Sequence, residues 1–303
     1  YNQKEIALVI KKDKSVVSRE IRHNADARSG VYRDDLAHRK YLKRQEYKAK
    51  TRTFTPEVEE YVRDRLRLKH SPEQIAGVAK KNGDKCVSHE RIYQFIWQDK
   101  RKKGTLYLDL RNRGRRYKKR SVIYDKRGII PNRTDISQRP PEVELRERFG
   151  DLEIDLIIGK NHKGAILTIN DRATGFGKLR KLDGKDAQQL ATATIDCLME
   201  WKPFLKTITS DNGKEFAAHE LVAKHLNIDF FFAKPYASWQ RGSNENFNRL
   251  VRQYIPKKVD FDCIPTDYIN FVEYQLNNRP RKRFKYESPM FMFNQLFFIF
   301  LFF

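Results

Sequence analysis

Three carboxylates stand out by position. Asp155 lies inside the apolar run "DLEIDLIIGK", between Ile154 and Leu156. Asp211 closes the alternating segment "KTITSD", and Glu245 follows Gly242-Ser243-Asn244 in the first turn of the helical segment "SNENFNRLVRQYI". Thirty-three residues separate Asp211 from Glu245. Carboxylates are the hard oxygen donors that Mg2+ prefers, so three held together form a metal site without any His or Cys. Two such ions, about 3.5–4 Å apart, would neutralise charge on a phosphorus centre and align an attacking oxygen. Each acid also has a plainer reading. Asp211 precedes Asn212-Gly213 and would open a turn through its own backbone. Asp151 or Asp171 could stand in for Asp155, whose neighbours nevertheless place it inside a sheet. Glu245 could pair with Arg249 four residues on.

The elements around these acids read as one scaffold. "DLEIDLIIGK" and "GAILTIND" are consecutive strands, "GFGKLRKL" is a third, and "KDAQQLATATIDCLMEW" is an amphipathic helix. The strand "KTITSD", a helix across 217–226 and the strand "IDFFFA" follow. A loop through Pro235 and Gly242 then leads into the helix that carries Glu245. Three strands followed by helix–strand–helix–strand–helix make an α/β core with a mixed sheet flanked by helices. His162, His219 and His225 read as surface or loop residues, and Trp239 as either a packing or a DNA-contacting side chain.

The first half of the chain has a different character. Of 303 residues, 62 are Lys or Arg and 39 Asp or Glu, a net charge of +23. Residues 1–150 hold 40 basic and 21 acidic side chains, net +19, against 22 and 18, net +4, in the rest. Such asymmetry points to a polyanion-binding region joined to a domain with another task. In "KEIALVIKKDKSVVSREIRHN", Ile6, Val9 and Ile10 share one helical face, and Ser15 reads as the N-cap of a second helix. That pair resembles a helix-turn-helix offering Ser15, Ser18, Arg19 and Arg22 to DNA. The pattern recurs in "SPEQIAGVAKKNGDKCVSHERIYQFIWQD", where Ser71 and Ser88 are the caps and His89 and Arg91 face outward. A basic helix over 33–50 separates the two. "RKKGTLYLDLRNRGRRYKKR" holds ten basic side chains and one acidic, and reads as a flexible linker that tracks phosphates, with Arg115, Arg116 and Lys118 as contacts. Three scattered cysteines give neither a disulfide framework nor a zinc site, which fits a reducing compartment. The closing apolar run is too short for the ~20 residues of a membrane span.

"TSDNGKEF", "KPYASWQRGSNENFNRLVRQY" and "LNNRPRKRFKYESP", together with "GDLEIDLIIGK", "SPEQIAG" and "VSHERIY", resemble the insertion-sequence-thirty (IS-thirty) family of DDE transposases over nearly the whole chain. The sequence departs from that family at Leu152, where Trp is usual, and in its phenylalanine-rich end. The chain opens at Tyr1, so the first helix-turn-helix reads as clipped at its front. The resemblance implies a retroviral-integrase-like (RNase H-like) catalytic core preceded by all-α helix-turn-helix units. The expected divisions are 1–50 and 51–100 for the two DNA-binding units, 101–145 for the basic linker, 146–290 for the core and 291–303 for an apolar tail of unknown role. It implies Asp155, Asp211 and Glu245 as metal-binding catalytic residues, two Mg2+ ions with Mn2+ as a substitute, and Arg252 as a phosphate contact. The implied partners are double-stranded DNA (terminal inverted repeats and target DNA) and further copies of the chain in a homodimer or higher oligomer. The expected location is the bacterial cytoplasm, at the nucleoid, with no membrane association. The implied activity is metal-dependent strand cleavage and strand transfer. The alternative is a catalytically decayed chain acting only as a DNA-binding repressor.

Overall fold

The computed structural model describes residues 2–47, 53–113, 130–235, 237–257 and 259–302, and its contacts divide the chain into two compact units, Tyr1–Thr53 and Phe54–Phe303. Arg115, Arg116 and Lys118 lie outside the described residues.

The first unit comprises α1 (Gln3–Val9), α2 (Lys14–Asn24) and α3 (Asp34–Tyr47). The cap of α2 is Asp13 rather than the expected Ser15: its carboxylate accepts the Ser15 amide at 2.8 Å. A charged oxygen at this position also meets the positive end of the helix dipole, an advantage a hydroxyl lacks. The apolar face shared by Ile6, Val9 and Ile10 is not the one that α1 buries most deeply. Ala7 is buried, whereas Val9 and Ile10 are 75% and 50% exposed. A small side chain lets the two short helices approach closely; Ile6 is half-buried, and Leu8, Val9 and Ile10 are turned outward.

In the second unit, α4 (Pro56–Arg67), α5 (Pro72–Asn82) and α6 (His89–Arg101) enclose a core of Val62, Leu66, Ile75, Ile92 and Ile96. Thr55, Ser71 and Ser88 cap the three helices, Ser71 within a capping box with Gln74. Gly83, at φ 78°, ends α5 in the left-handed conformation that glycine adopts without strain. The described part of the basic stretch, residues 101–113, is not a free linker. Leu106–Asp109 forms a 3-10 turn against α4 and α6, Leu110 is buried, and Lys69 pairs with Asp109. Leu106, Tyr107 and Leu110 bring apolar surface to this core, which outweighs the solvation of the neighbouring charges.

The remaining elements are β1 (Thr134–Asp135), α7 (Glu142–Leu145), β2 (Asp151–Ile158), β3 (Ala165–Asp171), β4 (Gly177–Leu182), α8 (Ala187–Leu198), β5 (Thr207–Ser210), α9 (His219–Leu226), β6 (Asp229–Phe232), α10 (Gly242–Tyr254), α11 (Thr266–Asn278) and α12 (Pro289–Phe302). They build one sheet in the order β1-β6-β5-β2-β3-β4. β2, β3 and β4 pair antiparallel, and β5, β6 and β1 continue from β2 in parallel. This mixed sheet flanked by helices is the RNase H-like α/β core; β1, a two-residue edge too short to carry a pattern, is an addition.

Period-two alternation splits β2 into unlike faces. Leu152, Ile154 and Leu156 join the main core with α8 and α9. Asp151, Glu153 and Asp155 point to the other side, where Ile157 meets Phe247, Leu250 and Val251 of α10. His219, expected at the surface, is buried against Phe230 and Phe232, its Nε2 3.4 Å from the Asn132 carbonyl. The closing apolar segment begins as core: Phe293 packs on Phe149, Phe176 and Trp201. Among the described residues no helix is long and apolar enough to cross a membrane.

Candidate active site

β2 and β5 run parallel, with Asp151 opposite Thr207 and Glu153 opposite Thr209. Continuing that register by two residues sets Asp211 beside Asp155. The two acids are held alike. Asp155 accepts the Leu156 amide on Oδ1 at 2.8 Å, and Asp211 accepts the Gly213 amide on Oδ1 at 2.9 Å. Oδ2 of each faces the guanidinium of Arg241, at 3.4 Å and 3.6 Å respectively. Asp211 is therefore a turn residue through one oxygen and a charge-bearing site residue through the other. Asn248 also donates to Asp155 Oδ2 at 3.0 Å. Burial pushes the Asp155 carboxyl up to about 6; Arg241 opposes that shift and the charge of Asp211 adds to it.

The alternatives for the first acid are used elsewhere. Asp151 is 1% exposed, paired with Arg148 at 2.8 Å and accepting the Thr207 hydroxyl at 2.8 Å. Asp171 is fully buried and accepts the Gly150 amide and both the amide and hydroxyl of Thr174. Both are committed to holding loops against the sheet. Only Asp155 keeps an accessible edge, its side chain 24% exposed.

Glu245 does not join the pair. It is exposed, and among the described residues no group of three or more His, Cys, Asp and Glu side chains stands close enough to hold a metal ion. It does lie on the stripe of α10 that faces the site. Arg241, Glu245, Asn248 and Arg252 recur at helical spacing, and the other three all bond to β2. Arg252, expected to contact phosphate, donates to the carbonyls of Ile158 at 2.9 Å and Pro256 at 3.4 Å, with its guanidinium over the Phe261 ring. Ser15, Ser18, Arg19 and Arg22 line one exposed side of α2. His89 is exposed at the start of α6, Arg91 is half-buried 5.1 Å from the Phe54 ring centroid, and Trp239 is 76% exposed.

Sequence reasoning missed Arg241, Asn248 and Glu153. The spacing 241-245-248-252 was a readable helical stripe, and Glu153 shares the Asp155 face by simple alternation. The donor set fits a divalent cation: two carboxylates already share one positive charge, and the buried Oδ1 of Asn248 beside them has no hydrogen-bond partner.

The transposase of insertion sequence element IS4351 from Bacteroides fragilis is 52% identical over 295 residues, covering 97% of this chain and 90% of that protein. The chain belongs to the insertion-sequence transposase family. The transposase of IS1086 from Cupriavidus metallidurans is 33% identical over 285 residues, 91% of this chain and 84% of that one. Transposase InsI of IS30C from Escherichia coli is 32% identical over 239 residues, 75% of this chain and 62% of that one. No family model matches the chain. Among solved structures, the catalytic core of BIV integrase aligns with a TM-score of 0.39 at 18% identity, over 48% of this chain and 93% of that one. A transposase is an enzyme that cleaves DNA strands and transfers them to new sites, so the chemistry of this family is phosphodiester exchange.

Proposed function

We propose that Asp155, Asp211 and Glu245 are the metal-binding catalytic acids of this transposase, holding two Mg2+ ions, with Mn2+ able to substitute. The clamp of Arg241 on both Oδ2 atoms supports this best. It marks a place where two aspartates need one shared positive charge. Bound there, the ions would activate an attacking oxygen and stabilise the leaving one. The chain's own contribution is positional. The parallel pairing of β2 with β5 sets the two aspartates side by side, and their backbone bonds fix the carboxylate planes. Arg252 ties the second half of α10 to the end of β2, which keeps the Glu245 stripe facing the acids. Water would be the nucleophile in cleavage and a freed 3′-hydroxyl in strand transfer.

Recognition is assigned to α2 and α6, through Ser15, Ser18, Arg19, Arg22, His89 and Arg91, with Arg115, Arg116 and Lys118 as phosphate contacts in the stretch that follows. The ligand would be the double-stranded terminal inverted repeats of the element, and target DNA would enter at the acids. Two DNA ends must meet, so the working form would be a homodimer or higher oligomer on DNA in the bacterial cytoplasm, at the nucleoid.

Asp155→Asn, Asp211→Asn and Glu245→Gln should each lower strand cleavage and transfer by at least about a thousandfold while leaving terminal-repeat binding intact. Glu215→Gln is the control and should keep activity. Undiminished cleavage in excess EDTA, or by any of the three variants, overturns the assignment.

A further inference from the structure

The first turn of α10 lacks a cap of its own. Arg241, at the N-cap position, makes no side-chain bond to the helix, and Gly242 and Ser243 precede the third residue, Asn244. Helix amides at these positions have no intrahelical partner and need one from elsewhere. For Asn244 it comes from another element. Oε2 of Glu153, on β2, accepts the Asn244 amide at 2.8 Å. Oε1 of the same carboxylate accepts from Arg172 at 2.7 Å, and Arg172 in turn reaches Glu144 at 2.8 Å. Glu153 and Arg172 are 0% and 1% exposed. A buried ion pair carries a large desolvation cost, so a pair at this position calls for a reason beyond stability.

We infer that Glu153 is a positioning residue for Glu245: it caps α10 across space and so fixes where that helix begins relative to Asp155. Glu153 and Asp155 lie two residues apart on one face of β2, and Asn244 immediately precedes Glu245. A single side chain therefore links the strand of the first acid to the helix of the third. The Asn244 side chain strengthens the link, since its Oδ1 accepts the Thr168 hydroxyl at 3.1 Å and Thr168 pairs with Asp155 across the sheet. The negative charge of Glu153 also suits the positive end of the helix dipole. Arg172, bonded to the other oxygen of that carboxylate, holds it in the orientation that presents Oε2 to the helix. This inference rests on the reading of Glu245 as a catalytic acid, whereas the cap itself can be tested without it.

Two double variants of the full chain separate capping from ion pairing. Glu153→Gln with Arg172→Met removes the ion pair and keeps an oxygen for the Asn244 amide. Glu153→Leu with Arg172→Met removes both. The first readout is amide hydrogen exchange across residues 242–250 without metal. The Gln variant should match the parent, and the Leu variant should exchange faster at Asn244. The second is the Mg2+ concentration for half-maximal cleavage, which should rise about tenfold or more in the Leu variant and under about threefold in the Gln variant. Equal exchange in the two variants overturns the cap. Faster exchange with an unchanged Mg2+ requirement overturns the positioning role. Loss of the Glu245 assignment would show separately, as cleavage by Glu245→Gln with the exchange pattern intact. Should neither variant fold, the parent decides: its Asn244 amide must exchange more slowly than its Ser243 amide, and the reverse order overturns the cap.

Discussion

Arg241 and Asp211 meet at 3.6 Å, and the same guanidinium reaches Asp155 at 3.4 Å, so one positive side chain bridges an acid within β2 and an acid just past the end of the parallel strand β5. A divalent ion between these acids would compete with it. Arg241→Gln should therefore melt at a lower temperature than the parent without metal, because two close carboxylates lose their shared cation. It should also gain more from Mg2+. An ion at a hundred times its Kd stabilises by about 2.7 kcal/mol, and tighter binding raises that figure. Thermal melts with and without Mg2+ check this, and an equal or smaller gain in the variant counts against competition.

Asp151 and Asp155 should behave as opposites. Asp151→Asn breaks a buried pair with Arg148 and should cost about 1–3 kcal/mol of stability while cleavage below the melting range persists. Asp155→Asn should lose cleavage and keep most of its stability. Denaturant unfolding and cleavage assays on the two proteins give the answer, and loss of chemistry in Asp151→Asn alone would exchange their roles.

Recognition should separate from catalysis. Arg19→Ala and Arg91→Ala should weaken binding to terminal-repeat DNA more than Lys102→Ala does, and affinity should fall steeply with salt as counterions are released. Titrations at several salt concentrations measure both, and indifference between terminal and random DNA contradicts the assignment of α2 and α6.

Gly77 faces the ring of Tyr286, and a Cβ there would stand 2.1 Å from Tyr286 Cζ. Gly77→Ala should cost about 1–3 kcal/mol by forcing α5 away from the segment after α11. An unaltered melting temperature would mean that the ring moves freely.

His70 gives stability a pH dependence. Burial lowers its pKa to about 4, with the charges of Arg279, Arg65 and Arg281 acting in the same direction. A base depressed in the folded state is protonated first in the unfolded chain. Its contribution is complete above about pH 6.5 and is lost as pH falls toward 4. The loss should be on the order of 2 kcal/mol, or a few degrees in Tm. His70→Gln should flatten the slope of Tm between pH 7 and pH 4.5; an unchanged slope assigns it to other groups.

What the sequence made legible was whatever depends on local periodicity. The alternation of β2, the caps at Ser71 and Ser88, and the succession of strands and helices are properties of neighbouring residues, and the structure keeps them. The misreadings involve competition between near-equal local choices or distant partners. Asp13 and Ser15 are both good caps two residues apart, and the carboxylate takes the position. The stretch at 101–113 looked solvated because its charges outnumber its apolar residues, yet Leu106 and Leu110 settle its place by packing on helices far back in sequence. Arg241 could be seen as a basic residue, but its grip on two aspartates depends on strand register, which no local pattern encodes.

α10 is fastened at both ends to different neighbours. Its first turn is bound to β2 through Asn244. Near its last turn, Gln253 bonds to the carbonyls of Lys69 and Asp109, and Tyr254 to that of Leu68. Exchanging residues 54–113 between relatives would therefore not be a clean graft. The incoming helices would have to match a rod about 20 Å long whose other end carries Asn244 and Glu245 beside β2. Chimeras that transplant Gln253, Tyr254 and the 279–287 segment along with those helices should fold and cut, while those joined at the obvious boundary after α6 should bind DNA and fail to cut it. The helices of residues 54–113 and the first turn of α10 are thus held to one another through a single rigid element.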